Sequence, residues 1–173
     1  MEIKFCKNRI NLIHSFGISR SSNDYYDIIY VYIIDRDIIA RGEAAPSKRY
    51  NESSELILSI LKRGLKVPQS SNSKQHLWAF LKPQLKGISS LEAAVNMAVW
   101  DWSAQKEKVP LFNLFGFKDE ILPKTSYTIA IGELNEIDEK LEESEKCSIL
   151  KVKLGTPNND KEIISKIRAR TDK

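Results

Sequence analysis

The stretch from Ile149 to Asp160 reads ILKVKLGTPNND. An apolar run with two lysines set into it, followed by turn residues, is a strand that stops at Gly155. Residues two apart on a strand share a face. Leu150, Val152 and Leu154 therefore point one way, and Ile149, Lys151 and Lys153 the other. In a parallel βα barrel the first set would meet the helices and the second would point inward. Lysines inside are costly unless they stand at the C-terminal mouth of the strand. Gly155 follows soon after Lys153, so the mouth is where the pair would lie. Two neighbouring ammonium groups disfavour each other's charge, and a lysine tuned in this way can act as a general base. The same spacing also fits a strand at a sheet edge with two solvated lysines.

The surroundings decide in favour of a parallel sheet. TSYTIAIG (125–132) reads as a strand and LNEIDEKLEESEKC (134–147) as a helix that Asn135 can cap. SILKVKLG is the next strand. NNDKEIISKIRART is the next helix, with Asn159 and Glu162 at capping-box spacing. Strand, helix, strand, helix with short connections is the alternation of βα units.

Upstream of about Lys124 the pattern is different. IKFCKNRINLI and DYYDIIYVYIIDRDIIARGEAAP are rich in β-branched and aromatic residues. The second is broken by Asp35 to Asp37, a hairpin signal, and an antiparallel meander of three strands follows. HSFGISRSSND (14–24) reads as a long polar loop between the first two strands. Asn51 is placed to cap a helix over Glu52 to Arg63. SNSKQHLWAFLKPQL predicts a short helix ended before Pro83. SSLEAAVNMAVWDWSAQKEK predicts the longest helix, with Ser89 and Glu92 at capping-box spacing and Leu91, Val95, Ala98 and Trp102 on one apolar stripe. Pro110 marks its end, and PLFNLFGF forms a short apolar turn closed by Gly116.

Composition bounds the function. The chain has 173 residues, 42% hydrophobic and 29% charged, with a formal net charge of +4. That fits one packed domain or one small domain with part of another. The basic residues are interleaved with acids instead of clustered with aromatics, which argues against nucleic acid as a partner. Cys6 and Cys147 are far apart and make no metal-ligand spacing with His14 and His76. The first residues have no signal-peptide core, and the longest apolar run, Ile28 to Ile34, is far below the ~20 residues that span a bilayer. The expectation is a cytoplasmic protein with no membrane partner.

Four segments together resemble the enolase superfamily, in its muconate-lactonising branch, and look most like its dipeptide epimerases of the L-Ala-D/L-Glu type. RGEAAPSKRY (41–50) resembles the passage from the third strand into a capping loop. AAVNMAVWDWSAQKEKVPLFNLFG (93–116) resembles the long helix, with Ala98, Trp100, Asp101, Pro110, Leu111, Leu114 and Gly116 on the pattern. SYTIAIG (126–132) resembles the first barrel strand, and LKVKLG (150–155) the second, with its Lys-x-Lys motif. The resemblance implies an α+β capping domain, a three-stranded antiparallel meander plus helices, over residues 1–117. It further implies the first two βα units of an incomplete TIM-like (β/α) barrel over 118–173.

For the site, the resemblance implies Lys153 as the base that removes a proton next to a carboxylate, with Lys151 tuning it and touching the carboxylate. Thr128, Arg20 and Tyr50 would contact substrate, Arg20 and Tyr50 from the two capping loops. It implies Mg²⁺ and an enediolate, with the metal ligands and the second catalytic lysine on later barrel strands outside these 173 residues, so no metal residue is assigned. The implied substrate is a dipeptide or another small carboxylate, and the isolated chain is expected to be inactive. The same motif also serves cycloisomerases and o-succinylbenzoate synthases. A different class of reading is a non-catalytic, truncated subunit. Two barrel strands leave edges open, so a homo-oligomer or a complementing C-terminal barrel segment is the expected partner.

Overall fold

The computed structural model describes residues 1–19, 21–117, 122–156 and 159–173. The chain divides into two compact units. The first comprises residues 1–10 and 26–120, the second residues 11–25 and 121–173.

The meander forms as β1 (Glu2–Ile18), β2 (Ser21–Asp35) and β3 (Ile38–Ala44), in that order across one sheet. β2 and β3 pair antiparallel from Ile29 opposite Ala44 to Asp35 opposite Ile38, around the turn at Arg36 and Asp37. The polar segment 14–24, expected as a long loop, is instead mostly strand: β1 runs on to Ile18 and β2 begins at Ser21. Alternation explains this. Leu12, His14 and Phe16 are half-buried between exposed Asn11, Ile13 and Ser15, a period-2 pattern that polar composition hides.

In the first unit, Ile29, Val31 and Ile33 present one fully buried face of β2, and Ala40 and Ala44 continue that core on β3. Against it lie α1 (Ser54–Leu61), α2 (Lys74–Leu81) and α3 (Ser89–Glu107), the last followed by the single turn α4 (Leu111–Leu114). The predicted stripe of Leu91, Val95, Ala98 and Trp102 is fully buried. Leu91 and Val95 each contribute about 1.5–3 kcal/mol relative to exposure. The Trp102 indole N–H donates to Asp35 Oδ2 at 3.0 Å, so burying the ring strands no polar atom. α3 packs on β3 closely because Gly42 has no side chain. A Cβ there would stand 1.9 Å from the Ala94 carbonyl oxygen.

Helix caps are where the local reading needs correction. α1 is capped by Ser53, whose hydroxyl accepts the Leu56 N–H at 3.1 Å, and not by Asn51. Asn51 sits at φ 56° and closes a 3₁₀ turn over Lys48–Tyr50. The Ser89–Glu92 box does not form. Ile88 is the N-cap of α3, and the buried carboxylate of Glu52 accepts the Ser90 N–H at 3.3 Å. A donor satisfied from 38 residues upstream leaves no trace in a local motif.

The second unit holds β4 (Ser126–Ile129), α5 (Ile137–Glu143), β5 (Ile149–Val152) and α6 (Asp160–Arg168). β4 and β5 are parallel, with Thr128 opposite Lys151 and Ile129 opposite Val152. Ile129, Ile137, Ile163 and Ile167 form its buried core, with Tyr127, Leu150 and Val152 packed against them. Asn159 stands at the N-cap of α6, whereas Glu136 and not Asn135 stands at that of α5, and neither helix has a side-chain cap bond. Asp160 instead turns back to the loop. Its carboxylate accepts the Gly155 N–H at 2.9 Å, the Thr156 N–H at 3.0 Å and the Thr156 hydroxyl at 2.6 Å. These bonds, the hydroxyl first, hold the Asp160 carboxyl below its ordinary pKa. No helix of the described residues is long and apolar enough to cross a membrane.

Candidate functional site

The lysine-bearing strand has the two-faced character its sequence demands. On β5, Leu150 and Val152 face the isoleucine core, while Ile149 and Lys151 are exposed. On β4, Tyr127 and Ile129 take the core side and leave Ser126 and Thr128 on the other. Because Thr128 and Lys151 are register partners in a parallel pair, they share that outward face on adjacent strands, about 4.8 Å apart. Lys153 lies just past the end of β5, half-buried, and its backbone N–H donates to the Ile129 carbonyl at 2.9 Å. That bond carries the ladder one step further and holds Lys153 at the strand's C-terminal end. Leu154 departs from the expected alternation: it lies beyond the strand and is 44% exposed. Among the described residues, neither lysine ammonium has a hydrogen-bond or ion-pair partner.

Tyr50 ends the 3₁₀ turn of the first unit, 63% exposed, with the Arg49 guanidinium 5.9 Å over its ring. Arg20 lies outside the described residues. The structure thus brings Thr128, Lys151 and Lys153 together in the second unit and leaves Tyr50 in the first.

Hairpin residues 11–19 belong to the same unit as the lysines. Gly17 bridges Ile131, just beyond β4, through the Ile131 N–H to the Gly17 carbonyl at 3.0 Å. A Cβ on Gly17 would lie 2.2 Å from the Ile131 oxygen, so only glycine permits the approach. Nearby, His14 Nε2 lies 2.9 Å from Glu143 Oε1, and the Tyr127 hydroxyl donates to Glu143 Oε2. Burial, then the hydrogen bond to Glu143, pushes the Tyr127 phenol up to about 12. The Tyr127 and His14 bonds hold the Glu143 carboxyl below its ordinary pKa. A cavity of about 330 Å³ runs between hairpin residues 11–16 and β4, lined by Thr128 but by neither lysine. Sequence reasoning missed His14. Its signal was its place on the half-buried side of the Leu12–His14–Phe16 alternation.

The donor set found among the described residues does not suit magnesium. Among the described residues, the His, Cys, Asp or Glu donors close enough to share an ion are His14, Glu139 and Glu143. A histidine in the set departs from the all-oxygen shell that Mg²⁺ prefers.

Comparison with known proteins places these features. No known family profile matches the chain. An L-Ala-D/L-amino acid epimerase from a Maribacter species is 30% identical over 175 residues, covering 99% of this chain and 50% of its own length. The structure of a dipeptide epimerase from Cytophaga hutchinsonii, complexed with Mg and the dipeptide D-Ala-L-Val, superposes with a TM-score of 0.80. It is 25% identical and is matched over 96% of this chain and 47% of the other. An enolase family member from Agrobacterium tumefaciens with homology to dipeptide epimerases gives a TM-score of 0.69 at 26% identity, over 96% of this chain and 49% of that one. The chain spans about half the length of the curated relatives it matches.

Proposed function

We propose that this chain, a homologue of the N-terminal half of dipeptide epimerases with the fold of that half of the enolase superfamily, supplies one of the two acid–base groups of such an enzyme. Residues 1–117 are read as the capping domain and residues 118–173 as the opening of the barrel. The substrate class is a dipeptide, and the reaction is inversion at the carbon next to its terminal carboxylate. Lys153 is the base that takes the proton. Lys151, earlier on the same strand, adds positive charge that attracts the carboxylate. Thr128, opposite Lys151, offers a hydroxyl to the same substrate end. Arg20 and Tyr50 close on the substrate from the capping loops. Mg²⁺ would be held by residues outside this chain and would supply charge stabilisation to the enediolate. The donors among the described residues do not suit it, so the steps above rest on the lysines alone.

The observation that carries the reading is the register. Thr128 opposite Lys151 gives two polar side chains on the face turned away from the core, and the Lys153 N–H bond to Ile129 fixes that residue's backbone at the strand end. The test uses the polypeptide containing this segment together with a C-terminal barrel half, its own or a relative's. Lys153→Ala should abolish exchange of the substrate α-proton in D₂O, and Lys151→Ala should lower it by at least about tenfold. Undiminished exchange in Lys153→Ala overturns the assignment. The two-stranded parallel sheet has open edges. A complementing barrel segment, or a second copy of the chain, is proposed to cover them. Light scattering of the isolated chain should find self-association; a monodisperse monomer would count against that part of the reading.

A further inference from the structure

A second cluster, beside the cavity that Thr128 also lines, has no part in the epimerase reading. Glu139 and Glu143 are four residues apart on α5 and so share a face of the helix. His14 reaches them from β1 within the same unit. One donor atom from each of the three residues lies within 4.8 Å of the other two. Around an ion with bonds of about 2.1 Å, tetrahedral ligand atoms stand about 3.4 Å apart. The set must therefore contract by about 1.4 Å at most, which the exposed Glu139 side chain can supply by a change of rotamer. Lys140, the nearest buried cation on the helix, is already paired with Glu136 at 2.6 Å. Glu139 and Glu143 are thus left as surplus negative charge around the imidazole. The Tyr127 hydroxyl bonds the far oxygen of Glu143 and fixes the carboxylate's orientation, as an outer-shell group does at a metal site.

We propose that His14, Glu139 and Glu143 form a binding site for a borderline transition-metal ion of the Zn²⁺ class, with Tyr127 orienting the Glu143 ligand. One imidazole and two carboxylates suit Zn²⁺, Co²⁺ or Ni²⁺ better than Mg²⁺ or Ca²⁺. Three protein ligands leave a fourth position open to water. The ion would tie the hairpin to α5, a cross-link between segments 125 residues or more apart in sequence. Such a tie replaces, with a stronger contact, the direct His14–Glu143 bond seen at 2.9 Å.

The test is a calorimetric titration of the 173-residue chain with Zn²⁺. It is run on a Cys6→Ser, Cys147→Ser background so that the two free thiols cannot hold the ion. One saturable site is expected, with no competition from Mg²⁺ at the same concentration. Co²⁺ should give intense visible bands of a four-coordinate ion without thiolate charge transfer. His14→Gln should weaken Zn²⁺ by about 100-fold or more. Tyr127→Phe, which leaves all three ligands in place, should weaken it by about tenfold. Glu139→Gln, at an exposed position that leaves the fold intact by circular dichroism, should weaken it comparably to His14→Gln. Absence of saturable Zn²⁺ binding by the folded chain overturns the proposal. So does unchanged affinity in both His14→Gln and Glu139→Gln. Because the readout is metal binding alone, failure here leaves the epimerase reading untouched, and failure of α-proton exchange leaves this site untouched.

Discussion

The two units differ in how much each can bury. In the first, seventeen apolar residues of a three-stranded sheet and its helices form one buried cluster, Trp102 among them. In the second, the buried cluster of described residues is four isoleucines beneath two short parallel strands. A domain's stability rests on the area it buries, and a small core leaves a unit marginal without a covering partner. The chain thus joins a unit with a core of its own to one whose strands carry the Lys-x-Lys pair but little packing.

The sharpest way to break that comparison is to hollow each core in turn. Trp102→Ala should cost about 3–5 kcal/mol and unfold the first unit at much lower urea. Ile129→Ala should cost about 2–4 kcal/mol, in a unit with less stability to lose. Hydrogen exchange separates the two. Ile129→Ala should strip protection from β4 and β5 while α3 keeps its own, and equal loss across both would mean one cooperative unit. A subtler probe of the first unit is Gly42→Ala. The added methyl has no room beside the Ala94 carbonyl, so β3 and α3 must separate, at about 1–3 kcal/mol. A variant as stable as the parent would show that the close approach is not needed.

The sequence made most of this legible wherever the deciding interaction was periodic. The stripe on α3 and the alternation on β5 were both readable, because burial repeats with the geometry of the element that carries it. The βα rhythm gave the parallel pairing. What escaped was set by distant partners. Ser89 and Glu92 have the right spacing for a capping box, yet Glu52 satisfies the end of α3. Asn159 and Glu162 match the same motif, yet Asp160 spends its carboxylate on Gly155 and Thr156. A local motif states which bonds are available and not which competitor reaches them first. Segment 14–24 escaped for another reason. Its polar residues disguised a strand whose inner face is Leu12, His14 and Phe16, and His14 was hidden with it.

A smaller effect tests the caps directly. Ser53→Ala removes the hydroxyl that accepts the Leu56 N–H, and should cost about 1 kcal/mol by urea denaturation. Asn51→Ala should not reproduce that loss through α1, since Asn51 makes no cap bond to that helix. An equal cost for both through fraying of α1 would return the cap to Asn51.

The smallest expected effect sets the charges of the two units against each other. In the first, Arg9 and then Lys7 hold Asp27 at about 2, and Lys7 with Ser54 holds Glu55 at about 2. In the second, Asp160 is lowered by hydrogen bonds from Thr156 and Gly155 and not by a cation. A carboxyl depressed in the folded state stabilises it above the unfolded value, near 4, and that contribution is lost as pH falls through the folded value. Stability should therefore decline between about pH 5 and 2 in both units. The cause of the decline differs. Exposed ion pairs are screened by salt, whereas short hydrogen bonds to a carboxylate are screened far less. High salt should flatten the acid limb of protection in the first unit and leave that of the loop at Gly155 and Thr156 nearly unchanged. Lys7→Met should flatten the first unit's limb in low salt alone, and Asp160→Asn should flatten only the second's. Hydrogen exchange read at α1 and at the Gly155 and Thr156 amides from pH 5 downward checks each arm, since α6 itself carries the Lys166–Asp138 pair at 3.1 Å. A salt response at those two amides as large as at α1 would show that charge pairing, and not the bonds from Thr156 and Gly155, sets the Asp160 carboxyl.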